Sequence, residues 1–527
     1  MLNTIFKNKT LQFFFALTVA ILTTGFLRLQ FFSGLPNSDD GFYTFISQLY
    51  YTSRSNNVGL DGNSLSMLQL YPFLTSWVFN LEVNQFIMLR LIDGIFAVIT
   101  SVILFKVILK ESGSTLFTLI LMTTLLILMN HIGVIAYGFK NSIWIAYLPL
   151  FIALLAWQNT TRNDNFSFYL IGGLVSFGVL LREPFLIFFI LAGISILIGY
   201  GWRALIKYLI GSALIGFSVL AFVLMFRGWD LSNLINSYAE RAGWVANWDH
   251  LQKNNFNYFG LLAIRNNWFI LVTASLSLIY LIKLYCTDRK VINLRRLSFW
   301  LAVVTVPLLE PMLKLPFLYH FANCLPGLAG LTAMGWKILS DRESKRIKKL
   351  VVIVISLMSL IMIFPTINQT ILKSSHIWSL PEAIIWAKSV NAFRIKQTIE
   401  RSQYLIISAK IYELSREDST LSVSGFMAGL YPLTGLLPPT KNLADLGTLS
   451  DILSNDEDKL IQIIKKYRPT IILTTHLSSQ YVSPGNKALP GVIEKTNLYN
   501  KVGMIPLNLE INYGWKAGSI YRLKDFK

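Results

Sequence analysis

Two carboxylates stand side by side in Asn37-Ser38-Asp39-Asp40-Gly41-Phe42-Tyr43, just beyond the first long apolar run of the chain. Adjacent charges at a membrane exit are costly unless something uses them. One use is a general base that takes the proton of an acceptor hydroxyl. Another is a pair of oxygen ligands for a divalent cation such as Mg2+ or Mn2+. A structural alternative stands beside both: Asp is a good helix N-cap, and a helix starting at Gly41 would use one. Tyr43 follows as a candidate cavity residue.

Further along, Arg182-Glu183-Pro184 joins two apolar runs. Either it is a tight turn whose Pro184 starts the next helix, or Arg182 offers its guanidinium to a phosphate at headgroup depth. Glu310, Lys314, Tyr319 and His320 cluster among Pro307, Pro311 and Pro316. Prolines that break helix beside polar groups suggest a lined cavity. Arg90 and Asp93, spaced i, i+3, read as a structural pair with each other.

The elements that must position these groups are membrane helices. The chain has 527 residues, of which 54% are hydrophobic and 14% charged, a polytopic composition. Its net charge of +19 sits mostly in short loops between apolar runs. The excess is therefore a topology signal, and nucleic acid is not an expected partner. Cys286 falls in a loop and Cys324 in a span, so no disulfide is expected. Lys7 and Lys9 before the run Leu11–Leu27 imitate a secretory signal, but no small-residue cleavage site follows, which predicts an uncleaved first helix.

With about 20 apolar residues needed per span, spans are expected near 11–31, 84–109, 114–133, 142–158, 167–181, 184–200, 205–225, 266–283, 297–312, 317–338 and 350–367. The basic loops around Lys106/Lys110, Arg162, Arg203/Lys207, Lys283–Arg296 and Arg342–Lys349 all fall on one side, the cytoplasmic one by the positive-inside rule. An odd number of spans, about eleven by this rule, puts the N-terminus in the cytoplasm and residues 368–527 on the far side.

Two far-side segments are long. Residues 32–83 hold the acidic pair and two amphipathic pieces, Phe42–Tyr51 and Leu65–Phe79, which suit helices lying in the interface. Residues 226–265 carry Trp229, Tyr238, Trp244, Trp248 and Tyr258, either an interfacial aromatic belt or a stacking platform for sugar rings. After residue 367 the apolar runs shorten. Strands are predicted at Leu421–Ser424 and Thr470–Thr474, with a helix over Asp456–Tyr467 and a turn at Pro469. Gly425, Gly429 and Gly435 form no dinucleotide fingerprint. The expected organisation is a transmembrane catalytic domain over 1–367 and a soluble α/β domain over 368–527.

The order of these motifs resembles the C-type (GT-C) membrane glycosyltransferases, among them the protein mannosyltransferases, the aminoarabinose transferase of lipid A and the O-antigen glucosyltransferases. Ser38-Asp39-Asp40-Gly41-Phe42-Tyr43 is similar to the acidic pair and aromatic of the family's first outer loop. Leu89-Arg90-Leu91-Ile92-Asp93-Gly94 resembles its Arg-containing second span, and Gly178–Pro184 its Gly-rich segment ending in a basic residue. Leu318-Tyr319-His320 followed by Leu325-Pro326-Gly327 looks like its Tyr/His element before a proline. Gly429–Pro439 resembles the soluble outer domain of bacterial members.

The resemblance implies a polyprenyl-phosphate-linked sugar as donor, a lipid-linked or lipopolysaccharide glycan as acceptor, and a multi-pass protein of the bacterial inner membrane with its C-terminal domain in the periplasm. It implies Asp39 or Asp40 as the base, inversion at the anomeric carbon, and Arg182, Lys314, Tyr319 and His320 around the donor phosphate, with Glu310 and Tyr43 lining the cavity. O-antigen glucosylation is the expected reaction. An O-antigen polymerase or ligase is the enzymatic alternative. A lipid-linked oligosaccharide flippase would also need many spans, but its charges should line a path through the bilayer. A membrane-anchored adhesion protein leaves the acidic pair without a role.

Overall fold

The computed structural model describes residues 9–28, 38–56, 70–130, 143–160, 165–182, 185–226, 232, 235, 249–288, 294–313, 318–374, 404, 407–424, 428–440, 443, 446–453, 456–477, 484–504 and 515–526. An apolar run in a bilayer must satisfy its backbone internally, which leaves the helix as the economical choice. The runs accordingly form α1 (Lys9–Arg28), α3 (Gln85–Ser112), α4 (Thr115–Met129), α5 (Ile143–Asn159), α6 (Asn165–Leu181), α7 (Leu186–Tyr200), α8 (Trp202–Phe226), α9 (Asp249–Thr287), α10 (Leu294–Thr305), α11 (Leu325–Arg342) and α12 (Lys345–Ser374). Between α1 and α3 lies α2 (Ser38–Asn56), followed by a short helix Leu70–Thr75. Among the described residues four helices, α1, α3, α8 and α9, are long and apolar enough to cross a membrane, and α4 to α7 and α10 contain shorter apolar helices.

Local sequence sets the helix ends. Asn84 caps α3 by accepting from the Ile87 amide at 3.1 Å. Gly113 stops the same helix in the left-handed conformation, φ 68°, its amide closing on the Leu109 carbonyl at 2.8 Å. Ser114 then caps α4. A single Gly-Ser pair thus reverses the chain between two antiparallel helices. Near this turn Glu111 is buried, accepts from Gln158 Nε2 at 2.5 Å and lies 3.7 Å from Arg296, tying α3, α5 and α10 together.

Small residues let α6 and α8 touch backbone to backbone. A Cβ on Gly172 would stand 2.0 Å from the Tyr208 carbonyl oxygen, and one on Gly211 would stand 2.1 Å from that of Tyr169. The close approach allows Ser212 Oγ to donate to the Gly172 carbonyl at 3.0 Å, a recurrent way to fasten membrane helices. Gly330 of α11 admits the Trp300 ring of α10 in the same manner, and Phe117 of α4 stacks on Trp336 of α11 at 4.4 Å.

All described strands follow residue 420. They form one sheet in the order β1-β2-β4-β3, with β1 (Leu421–Val423) parallel to β2 (Ile471–Leu477), and β4 (Trp515–Leu523) antiparallel to both β2 and β3 (Tyr499–Met504). The crossover between the parallel strands includes α13 (Glu457–Tyr467). Asp456 caps α13 by accepting from the Lys459 amide at 3.1 Å, with Glu457 and Asp458 in its first turn and Lys465 and Lys466 in its last, matching the helix dipole. Between β2 and β3 lies α14 (Pro484–Lys495).

Strand alternation gives the sheet two faces. Ile472 and Tyr521 turn toward α13 and α14, in a core with Leu460, Ile464 and Ile493. Leu421, Val423, Ile471, Leu473 and Ile520 turn the other way and share a core with α2. This changes the expected role of the Phe42–Tyr51 piece. Its apolar pattern suits a helix lying on a membrane, but Thr44 through Tyr50 are all buried inside protein, because the sheet covers the face that lipid would have met.

Candidate functional site

The acidic pair lies in the first turn of α2, which runs from Ser38 rather than from Gly41. Asp39 and Asp40 are therefore first-turn residues of the helix rather than its cap, positions where acidic residue types suit the helix dipole. Their side chains lie outside the described residues. One turn on, Tyr43 is half-buried. It packs on a small core of Tyr71, Val78, Leu89 and Ile145, and Leu181 packs on the same core.

Leu181 brings in the second candidate. It ends α6, and the Arg182 amide closes the helix on the Gly178 carbonyl at 3.0 Å. The Arg182 carbonyl then accepts from the Phe185 amide at 3.0 Å. Arg182 is buried, with its guanidinium carbon 5.4 Å from the centre of the Phe185 ring, a cation–π contact. The backbone turn at Arg182 and its buried guanidinium are compatible with either reading of the Arg-Glu-Pro element. Glu183 and Pro184 lie outside the described residues.

Phe185 carries the chain of contacts onward. Its ring centre is 5.0 Å from that of Tyr147 on α5, and the Tyr147 hydroxyl donates to the Asn323 carbonyl at 3.0 Å, with Asn323 Oδ1 at 3.2 Å. Asn323 is three residues past His320, which is itself buried. The prolines break this region as expected, into the turn Val306–Leu308, the short helices Leu309–Leu313 and Leu318–Phe321, and the turn Ala322–Cys324. Glu310 and Tyr319 belong to those short helices, but their side chains, like all of Lys314, lie outside the described residues. So do Trp229, Tyr238, Trp244 and Trp248, while Tyr258 is exposed on α9.

For Asp93 the sequence offers a partner one turn away, Arg90. The structure supplies one from another helix: Arg28, at the last position of α1, makes a buried ion pair with Asp93. Arg28 Nε also donates to Asn130 Oδ1 at 3.0 Å, and Asn130 Nδ2 donates to the Leu126 carbonyl at 2.8 Å. A guanidinium buried among helices needs a counter-charge, and this one knits α1, α3 and the end of α4 at a single point. Arg90 is buried as well, 6.0 Å over the Phe86 ring. Arg28, Tyr147, Asn130 and Asn323 were not singled out from sequence. Arg28 had a visible signal, a charge inside the first span window. The other three are polar groups in apolar runs, where spacing says nothing of partners in distant helices.

Among the described residues no group of three or more His, Cys, Asp or Glu side chains comes together as a metal site.

No family model matches the chain, and no curated protein matches it. Among solved structures, the fold is similar to the crystal structure of the Archaeoglobus fulgidus oligosaccharyltransferase in complex with zinc and sulfate. The TM-score is 0.50 at 12% identity, over 92% of this chain and 71% of that one. At that identity the likeness is one of fold. That protein is a glycosyltransferase of the GT-C fold, so the architecture agrees with the one the sequence resemblance implies.

Proposed function

We propose that the chain is an integral membrane glycosyltransferase that moves a sugar from a polyprenyl-phosphate donor to a cell-surface glycan on the periplasmic side, with inversion, as in O-antigen glucosylation. The supporting observation is the run of packing that starts at Tyr43 in α2. It passes through Leu181 to Arg182, and through Phe185 and Tyr147 to Asn323 beside His320. This run of contacts links the turn that bears the acidic pair to Arg182 and the His320 segment, in a bundle whose fold is similar to that of an oligosaccharyltransferase.

In this reading the acceptor hydroxyl attacks C1 of the donor sugar and gives its proton to Asp39 or Asp40. The C1–O bond to phosphate breaks, and the polyprenyl phosphate leaves with an added negative charge. Arg182, with Lys314, Tyr319 and His320, stabilises that charge where water is scarce. Attack from the face opposite the leaving phosphate inverts the anomeric centre. Residues 1–367 carry the chemistry, and residues 368–527 form the periplasmic domain that helps to bind acceptor. The basic loops, Glu111 and its partners belong to the cytoplasmic end.

The test is transfer itself. Full-length protein in detergent, given radiolabelled undecaprenyl-phosphate glucose and purified O-antigen, is expected to move label into polysaccharide. Mass spectrometry of surface polysaccharide should show a hexose that is absent from cells lacking the chain. No label transferred, together with identical polysaccharide in both cells, defeats the proposal.

A further inference from the structure

An aromatic stack helps to fasten the helix that bears the acidic pair to the C-terminal sheet. Phe45 of α2 lies on Tyr431 with ring centres 4.2 Å apart and planes 24° from parallel. Both residues are buried. Tyr431 sits in the short helix Leu430–Thr434, which Gly435 ends at φ 70°. Its hydroxyl accepts from the Val423 amide at the end of β1 at 3.2 Å. The ring is thus gripped from both sides, by α2 at its face and by the sheet at its hydroxyl.

The stack belongs to a continuous core. Phe45, Ile46, Leu49 and Tyr50 pack with Leu421, Leu473 and other residues of the sheet's bundle-facing side. Alone, α2 would be poorly stable: it is a 19-residue helix with Thr44, Ser47 and Gln48 among its buried positions, and such helices gain most of their stability from tertiary packing. Phe45 follows Asp39 and Asp40 by six and five positions, about 8 Å along the helix axis at 1.5 Å per residue. Whatever holds Phe45 holds the first turn.

We propose that Phe45 and Tyr431 are positioning residues: the C-terminal domain, besides any part in acceptor binding, clamps α2 so that Asp39 and Asp40 keep their register against the Arg182 side. The catalytic part of this inference rests on reading the acidic pair as the base, whereas the clamp stands on packing alone.

The experiment uses full-length protein in detergent with Phe45→Leu, Tyr431→Leu and Tyr431→Phe. Backbone amide exchange over residues 41–56 is expected to quicken about tenfold in the two leucine variants, the scale of a lost aromatic pair, with α4 and α11, which belong to a different core, unchanged. Tyr431→Phe keeps the stack but leaves the buried Val423 amide without its acceptor, so its exchange should fall between wild type and the leucine variants. Unchanged exchange in α2 in both leucine variants overturns the clamp. For transfer from undecaprenyl-phosphate glucose, the leucine variants should lose about tenfold in kcat with the acceptor KM within about twofold, since a loosened base affects the transition state rather than binding. Faster exchange with wild-type kcat would reduce both residues to packing and overturn the positioning role. If wild-type protein transfers nothing and cells with and without the chain make identical polysaccharide, the glycosyltransferase reading fails and the positioning role with it, while the exchange data still decide the clamp. Phe45→Met, closer in volume, serves if Phe45→Leu does not accumulate.

Discussion

The Tyr147 hydroxyl donates to the backbone carbonyl of Asn323 at 3.0 Å, joining α5 to the broken segment that carries His320. The same Tyr147 ring lies 5.0 Å from Phe185, the ring under the Arg182 guanidinium. One buried tyrosine therefore contacts a neighbour of each of the two cationic residues, Arg182 and His320, proposed for the donor phosphate. Tyr147→Phe keeps the ring packing and removes the hydroxyl, leaving a buried carbonyl short of a donor at a cost of about 1–3 kcal/mol. The expected result is a lower melting temperature and a higher KM for donor, with acceptor KM unchanged. A variant with wild-type donor KM would separate Tyr147 from the donor site.

The Arg28–Asp93 pair yields a stability prediction. Both side chains are buried, so removing one charge strands the other, at a cost of about 3–5 kcal/mol. Asp93→Asn should sharply lower the melting temperature in detergent. The double variant Arg28→Met with Asp93→Leu removes both charges and should recover most of the loss. If Asp93→Asn melts like wild type, the pair is not what joins α1 to α3.

Much of the helical part was legible because its signals are local. Apolar runs and the helical pattern Asp456–Tyr467 act within a few residues, and the helices follow them. The ion pair of Asp93 with Arg28 was not legible, since helical spacing reaches only residues of α3 such as Arg90 whereas folding brings Arg28 from another helix. The burial of α2 was hidden for the same reason: an amphipathic stretch looks alike whether lipid or a sheet covers it, and the covering residue, Tyr431, is most of the chain away. β1 and β2 stood out by their Ile, Leu and Val content. β3, Tyr499–Met504, has Asn, Lys and Gly among its residues and, among the described strands, pairs along one edge, so its alternation is weak.

Arg182 separates a turn from a phosphate site. The backbone bonds of Arg182 survive any side-chain change, so Arg182→Ala should leave the α6 terminus folded. As a phosphate ligand, its loss should lower kcat/KM for donor with normal protein levels. Arg182→Lys should recover only part, because an ammonium lacks the guanidinium fork. Undiminished transfer by Arg182→Ala at limiting donor would leave only the turn.

Orientation is tested independently of catalysis. In the proposed orientation, read from the Lys/Arg loops, Ser344 is cytoplasmic and Lys527 periplasmic. Alkaline phosphatase fused after Lys527 should be active, and a fusion at Ser344 inactive. An active Ser344 fusion would put the acidic pair on the wrong side for a periplasmic acceptor.

The acidic pair calls for an isosteric test, because a helix start and a general base favour the same residue type. Asp39 and Asp40 lie in the first turn of α2, where a carboxylate can serve the helix dipole for about 0.3–1 kcal/mol. A dipole role lost through Asp39→Asn or Asp40→Asn would cost only that stability and leave turnover near normal. A general base changed to Asn loses its proton-accepting charge with almost no change in shape, and general-base loss typically costs on the order of 10²–10⁴ in rate. We expect Asp39→Asn to show the larger loss in kcat, since it matches the first acidic position of the family's pair, with protein level and α2 exchange unchanged. Alanine would not distinguish the readings, as it removes charge and hydrogen-bonding oxygen together. Wild-type turnover in both Asn variants, each present in the membrane at normal level, would take the acidic pair out of the chemistry.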